Sequence, residues 1–349
     1  MFDPATFKID TTQPVLVTGA TGYLAGVLVR QLLAAGITVH AAVRDPANEA
    51  KVAPLKTLGG DLKLFKADLL EPGSYAEAMV GCAHVFHTAS PCNFDFTDPQ
   101  TQMVDPALKG TENILETASQ TPSVKRVILT SSMAAIYGDV ADIEGYPNGT
   151  MTEAQWNTSS TLHHQTYAYS KQLAERRAWA LAEGAPWQLL VINPGVVVGP
   201  GITNTPTSES YVQISQLVDG TLSFGVPNFY LGWVDVEDVA LAHIRAAYLA
   251  RAQGRYVVVA EEKTSFDMAR DVRAARPHMK TPPRVLPKWL VKLVVPWRSK
   301  TLTRRVLERN IGYRWRFDNT KAREQLGLNF RQAAPATIAM ADQIMGPKI

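Results

Sequence analysis

Over its first 200 residues the chain alternates short apolar, β-branched runs with longer stretches of helical composition. The runs predict strands at 15–17, 39–43, 62–65, 84–87, 127–130 and 189–192, and the stretches between them predict helices at 24–35, 50–58, 74–80, 107–119 and 168–182. Strict strand–helix alternation with apolar strands is the pattern of a parallel sheet covered by helices on both faces. After Pro194 the pattern turns irregular and rich in Gly, Pro, Ser and aromatics through Tyr230. A helix follows at 236–249, a strand at 256–259 that can close the sheet, and a mostly helical, Pro-punctuated remainder from 264 to 349.

Composition narrows the class. A chain of 349 residues can bury a full core, and its net charge of +3 predicts no general affinity for nucleic acid. Two cysteines, Cys82 and Cys92, make neither a disulfide framework nor a metal-ligand set, so no metal site is expected and a reducing compartment fits. The first ten residues carry acids where a secretory signal carries bases, and no segment approaches the roughly 20 apolar residues of a membrane span. A soluble, cytoplasmic protein is the expectation.

The first strand runs directly into a glycine-rich turn. Gly19, Gly22 and Ala25 stand at its three close-approach positions. The first glycine permits the tight turn, the second lets backbone approach a pyrophosphate, and the third small residue lets helix and strand pack. The helix N-terminus then offers free N–H groups to a phosphate. At the end of the second strand, where an acid would favour NAD, the first charged residue is Arg44, with Lys51 nearby. A guanidinium there pairs with a 2′-phosphate, so NADP (NADPH) is the expected cofactor. NAD stays open, because Asp45 follows directly and can neutralise Arg44. Asp68, with Leu69, is placed to meet the adenine or simply to cap a helix, and Thr88, Ala89 and Ser90 would pass beneath the cofactor.

Tyr167 and Lys171 stand four residues apart in a helical stretch, so they share a face. A nearby ammonium favours a phenolate and brings a hydroxyl of pKa about 10 toward working pH. Such a tyrosine can exchange a proton with a substrate oxygen.

These motifs, in this order, resemble the extended short-chain dehydrogenase/reductase superfamily. Within it the chain is most similar to the dihydroflavonol reductases, cinnamoyl-CoA reductases and related microbial aldehyde and ketone reductases. The markers are the 18–25 turn, Val43-Arg44-Asp45-Pro46, Thr130-Ser131-Ser132, Tyr167 with Lys171, Pro194-Gly195 and the segment 233–240. The resemblance covers about 13–260 well and the C-terminal third loosely. It implies an α/β Rossmann fold: a doubly wound parallel sheet of about seven strands with a small C-terminal substrate-binding lobe. The cofactor domain would span 13–195, its sheet completed from within 230–260, and 196–349 would form most of an interleaved substrate lobe.

By position, the resemblance makes Tyr167 the proton donor or acceptor, Lys171 its activator and Ser132 the residue that orients the carbonyl. Ser131 competes with Ser132, since neighbours at a strand end point in different directions; in the reductase subgroup the second serine is the catalytic one. The implied cofactor contacts are Thr18, Gly19, Thr21, Gly22, Tyr23, Leu24, Arg44, Lys51, Asp68, Leu69, Thr88, Ala89, Ser90, Pro194, Gly195 and Val197. Asn113 matches a helical asparagine near the site, with a structural or water-relay role. Homodimerisation through the 107–119 and 168–182 helices is a further family expectation.

Residues after Ser132 separate the superfamily's reactions. Dehydratases need an extra acid and base where this chain has Ala134 and Ala135, and epimerases usually place a hydroxyl where it has Met133. Gln165, Thr166, Ala168 and Ser170 depart from the cinnamoyl-CoA reductase pattern around the tyrosine, leaving a CoA thioester unsupported. Met133, Phe94, Phe96, Tyr211, Phe224, Phe229 and Tyr230 would line an apolar pocket, while His163 and His164 sit on a polar loop and are expected to face solvent. The expected activity is reversible NADPH-dependent reduction of a hydrophobic aldehyde or ketone, with no nucleic-acid partner. Alternatives are an NAD-dependent hydroxysteroid or alcohol dehydrogenase, a sugar-nucleotide epimerase, and a non-catalytic NADP-sensing scaffold. Between 284 and 316 ten Lys or Arg face one acid, Glu308. This stretch reads as a substrate-lobe helix with a solvated basic face, in preference to a membrane-docking surface.

Overall fold

The computed structural model describes residues 9–90, 96–203, 208–297 and 301–346; Cys92 and Phe94 lie outside them. Strands β1 (Val15–Thr18), β2 (Val39–Val43), β3 (Leu62–Lys66), β4 (His84–His87), β5 (Arg126–Thr130) and β6 (Gln188–Pro194) alternate with helices α1 (Tyr23–Ala34), α2 (Glu49–Lys56), α3 (Ala76–Met79), α4 (Asp105–Ser119) and α5 (Thr166–Ala182). There follow β7 (Val196–Val198), α6 (Glu209–Val218), β8 (Tyr230–Asp235), α7 (Val236–Tyr248), β9 (Gly254–Val258), β10 (Glu261–Thr264) and α8 (Ser265–Ala275). Four short helices close the chain: α9 (Lys288–Val294), α10 (Arg304–Asn310), α11 (Thr320–Gln325) and α12 (Ala333–Met345).

Seven strands form one parallel sheet in the order β3-β2-β1-β4-β5-β6-β9. Adjacent residues of β1 serve opposite layers: Val15 and Val17 join the core beneath α1 and α7, and Leu16 joins the one beneath α4 and α5. Burial on both faces is why the inner runs read as apolar without alternation, whereas the edge strand β3, Leu-Lys-Leu-Phe-Lys, is only partly buried. Each fully buried aliphatic chain contributes roughly 1.5–3 kcal/mol of transfer free energy. The strand order reverses between β1 and β4, and in open α/β sheets the crevice at such a reversal is where ligands bind.

The stretch that looked irregular contains more structure than its pattern announces. Helix α6 is capped by Ser208 and buries Tyr211, Ile214, Leu217 and Val218 at helical spacing. A second sheet, β10-β8-β7, packs beside it. Its β7 has three residues and its β10 reads Glu-Glu-Lys-Thr, so neither carries a recognisable strand period. Pairing with β8 makes them strands, through Val197 with Val234 and Lys263 with Leu231.

Candidate active site

The glycine turn is shaped by contact with the segment after β4. Gly19 has φ +63°, and a Cβ there would lie 2.9 Å from that of Ala89. Only glycine satisfies both constraints. The Gly22 amide donates to Gly19 O at 2.8 Å, and Gly22 begins α1 with no side-chain cap and no acid in the first turn. These features fit a pyrophosphate, which needs close backbone and an open helix N-terminus. Thr18 ties the two sides of the crevice together. Its Oγ1 accepts from Ala89 N at 3.1 Å, and its carbonyl accepts from Thr88 Oγ1 at 2.5 Å. His87 Nδ1 lies 3.1 Å from the same Thr18 hydroxyl. Burial, and then the Lys171 charge, pull the His87 pKa down to about 3, so its ring is neutral.

At the outer end of the crevice Arg44 and Lys51 are both exposed, just past β2. The Asp45 carboxylate accepts from Ala47 N at 3.0 Å and makes no ion pair with Arg44 among the described residues. Parallel pairing of β2 with β3 brings the 67–73 loop alongside. There the Asp68 carboxylate accepts from Leu70 N at 2.9 Å, a local turn-forming bond. Asn113 holds this loop: its Nδ2 donates to Leu69 O at 3.1 Å and Glu71 O at 2.9 Å, and its Oδ1 accepts from Gly73 N at 3.0 Å.

Tyr167 and Lys171 lie one turn apart on α5. Lys171 Nζ sits 5.8 Å from the Tyr167 ring centroid and donates to Ser90 Oγ at 3.1 Å, with Lys171 itself buried. The helix packs on the short turn Met133–Ala135 that follows β5, bringing the serine pair toward it. The two serines then diverge. Ser131 Oγ donates to Glu175 Oε2 at 2.5 Å, whereas Ser132 is partly exposed and its Oγ accepts from Ala134 N at 3.1 Å. Glu175, one turn beyond Lys171, went unrecognised in the sequence. It is fully buried, accepts from Asn193 Nδ2 at 2.8 Å and pairs with Arg255 at 2.5 Å. Asn193 also donates to Ser132 O at 3.1 Å, so the anion steadies the serine backbone. Its only sequence signal was an acid continuing the Tyr167–Lys171 spacing.

The other expected residues are spread over several elements. The Tyr23 phenol is buried and donates to Gly199 O at 2.7 Å, leaving α1 only its backbone to offer at this position. A Cβ on Gly195 would meet Gly232 O at 2.4 Å, so this glycine serves the crossing past β8. Pro194 ends β6 and Val197 pairs within the small sheet. Thr21 and Leu24 are partly buried beside the turn. Among the expected pocket residues, Tyr211 is core and stacks edge-on against Tyr23 at 5.0 Å, while Phe224 is 80% exposed. Met133 is buried in an aromatic-rich cluster with Ile136 and Trp315, which Tyr137 and Tyr230 flank. His163 is exposed, as expected of a polar loop. His164 is not: it is buried, with Nε2 2.8 Å from Asp139 Oδ2, because a buried carboxylate needs donors.

The profile of the NAD dependent epimerase/dehydratase family matches residues 15–260. Cinnamoyl-CoA reductase CAD2 of Medicago truncatula is 41% identical over 276 residues, 77% of this chain and 82% of the relative. Anthocyanidin reductase of Arabidopsis thaliana is 36% identical over 257 residues, covering 70% of this chain and 75% of its own. Among solved structures, the yeast methylglyoxal/isovaleraldehyde reductase Gre2, complexed with NADPH, superposes with a TM-score of 0.79. It is 26% identical, with 95% of this chain and 98% of that one covered.

Proposed function

Because the chain belongs to the NAD dependent epimerase/dehydratase family, an extended short-chain dehydrogenase/reductase family, we propose that it reduces a hydrophobic aldehyde or ketone through Ser132, Tyr167 and Lys171. It is an NAD(P)-dependent oxidoreductase, and NADPH is its cofactor. The residues that would hold NADPH are Gly19 and Gly22 at the phosphates, Arg44 and Lys51 at the 2′-phosphate and the 88–90 segment beneath it. When bound, NADPH supplies the hydride for the carbonyl carbon.

The chain's own residues handle the oxygen. Tyr167 gives it a proton, and the Lys171 ammonium, buried beside the phenol, offsets the phenolate left behind. Ser132 donates a hydrogen bond that strengthens as charge develops on the oxygen. The observation that carries the reading is the division of labour at the serines: Glu175 engages Ser131, and Ser132 stays on the partly exposed side. Ala134 and Ala135 supply no further acid or base, which speaks against elimination. The apolar, aromatic surroundings of Met133 favour a hydrophobic carbonyl compound over a sugar nucleotide. A panel of aldehydes, ketones and cinnamoyl-CoA, followed by NADPH and NADH absorbance, tests the proposal. Turnover of the thioester alone would overturn the substrate class, and no turnover of any carbonyl would overturn the reaction.

A further inference from the structure

Helix α5 starts from an unfavourable turn. Gln165, two residues before Tyr167, has φ 55° and ψ 49°, and only Asn148 shares a positive φ among the described non-glycine residues. A left-handed non-glycine residue is strained and persists only where its surroundings impose it. Here the imposing group is the fully buried carboxylate of Asp139. Its Oδ1 accepts from Gln165 Nε2 at 3.3 Å and its Oδ2 lies 2.8 Å from His164 Nε2.

Besides its local cap with Asp142, Asp139 takes two bonds from about 170 residues later in the chain. Arg309 Nε donates to Oδ2 at 2.7 Å and Asn310 Nδ2 to Oδ1 at 2.8 Å. Arg309 also donates through its second nitrogen to Asp142 Oδ1 at 2.7 Å, and Asn310 Oδ1 accepts from Val140 N at 2.9 Å. Both residues end α10, which packs with α9 in a small cluster of its own around Val291, Leu307 and Ile311. Arg309 thus spends part of the basic 284–316 stretch on an internal contact. A bidentate arginine across two carboxylates fixes direction as well as distance.

We infer that Arg309 and Asp139 are positioning residues for Tyr167: they latch the C-terminal helices to the His164–Gln165 turn and so set where the proton-donating helix begins. This rests on Tyr167 being the proton donor. Arg309 is 39% exposed but Asp139 is fully buried, so truncating Arg309 removes a cation from a buried carboxylate, and thermal unfolding of each variant checks that it is folded.

The test compares Arg309→Ala and Arg309→Lys with the parent and with Tyr167→Phe. In Arg309→Ala, kcat for the best aldehyde falls about 10–100-fold, as an ångström-scale misplacement of a reacting group does. The solvent deuterium isotope effect on kcat rises, because proton transfer becomes slower, and the Kd of NADPH stays within twofold. Amide hydrogen exchange in the free protein accelerates over 161–169 and not in the seven-stranded sheet. Arg309→Lys, which keeps the charge but not the fork, falls between. Parent-like kcat, a loss confined to KM or to NADPH affinity, or unchanged exchange over 161–169 overturns the latch. Full turnover in Tyr167→Phe instead overturns the reading of Tyr167 on which it rests.

Discussion

Ser131 donates its hydroxyl to Glu175 at 2.5 Å inside the protein, and this bond separates two adjacent serines that no spacing rule distinguishes. Glu175 is fully buried and its charge is matched by Arg255. Ser132→Ala should therefore lower kcat by about 10²–10³ with little change in melting temperature, as the loss of one oxyanion donor does. Ser131→Ala should retain most activity. Glu175→Gln breaks a buried ion pair and should cost about 3–5 kcal/mol of stability. Thermal unfolding and steady-state kinetics on the three variants check the assignment, and parent-like kcat in Ser132→Ala would reverse it.

Tyr167 has a competitor two residues away. Tyr169 lies on a different face of α5, while Tyr167 shares the face of Lys171 and Glu175. Tyr167→Phe should reduce kcat about 10²–10⁴-fold, the range of general acid catalysis, and Tyr169→Phe only a few-fold. NADPH titration by fluorescence should show both variants binding cofactor, so that the loss belongs to proton transfer.

How much of this was legible followed from where the determining contacts lie in the chain. Strands buried on both faces, and the half-buried edge strand β3, carry their own apolar signal, so six strands and the closing strand near 256 were readable to within a few residues. Gly19 was readable because a positive φ and a close approach leave glycine as the single choice. What was not readable depends on partners distant in sequence. β10 is a strand through β8, and His164 is buried through Asp139 and Arg309. Nothing local in Glu-Glu-Lys-Thr or in a His-His pair announces that. Two of the expected pocket aromatics show the same dependence, since Tyr211 answers to Tyr23 and Gln343, and Phe224 faces solvent.

Arg44 sets a test of cofactor choice. It is exposed at the end of β2, and the carboxylate that follows it is engaged with Ala47 N. A charge-assisted bond to a phosphate contributes about 1.5–3 kcal/mol, so Arg44→Ala should raise the KM for NADPH about 10–100-fold and leave that for NADH nearly unchanged. Equal loss with both cofactors would mean that Arg44 serves the adenine or the loop and not the phosphate.

Acid should unfold the protein in a particular window. His84 and His243 have pKa values pulled down to about 4, and His87 to about 3, each chiefly by burial. In His243, Nδ1 bonds Val239 O at 2.8 Å, so the proton sits there and Nε2 accepts from Thr130 Oγ1 at 2.7 Å. A neutral ring in the fold and a protonatable one in the unfolded chain give depressed folded pKa values. The unfolded state therefore binds more protons below pH about 6.5, and stability falls as pH drops toward 4. Each histidine contributes a slope of about 1.4 kcal/mol per pH unit across that window. Asp238 acts in the opposite sense: burial lifts its pKa to about 6, so its contribution declines as pH rises toward that value. Urea unfolding at pH 7, 6 and 5 should show the net loss toward acid, and His243→Gln should make the slope shallower by about one proton. A slope identical in parent and variant would mean that His243 is already protonated in the fold, against the neutral tautomer its two hydrogen bonds require.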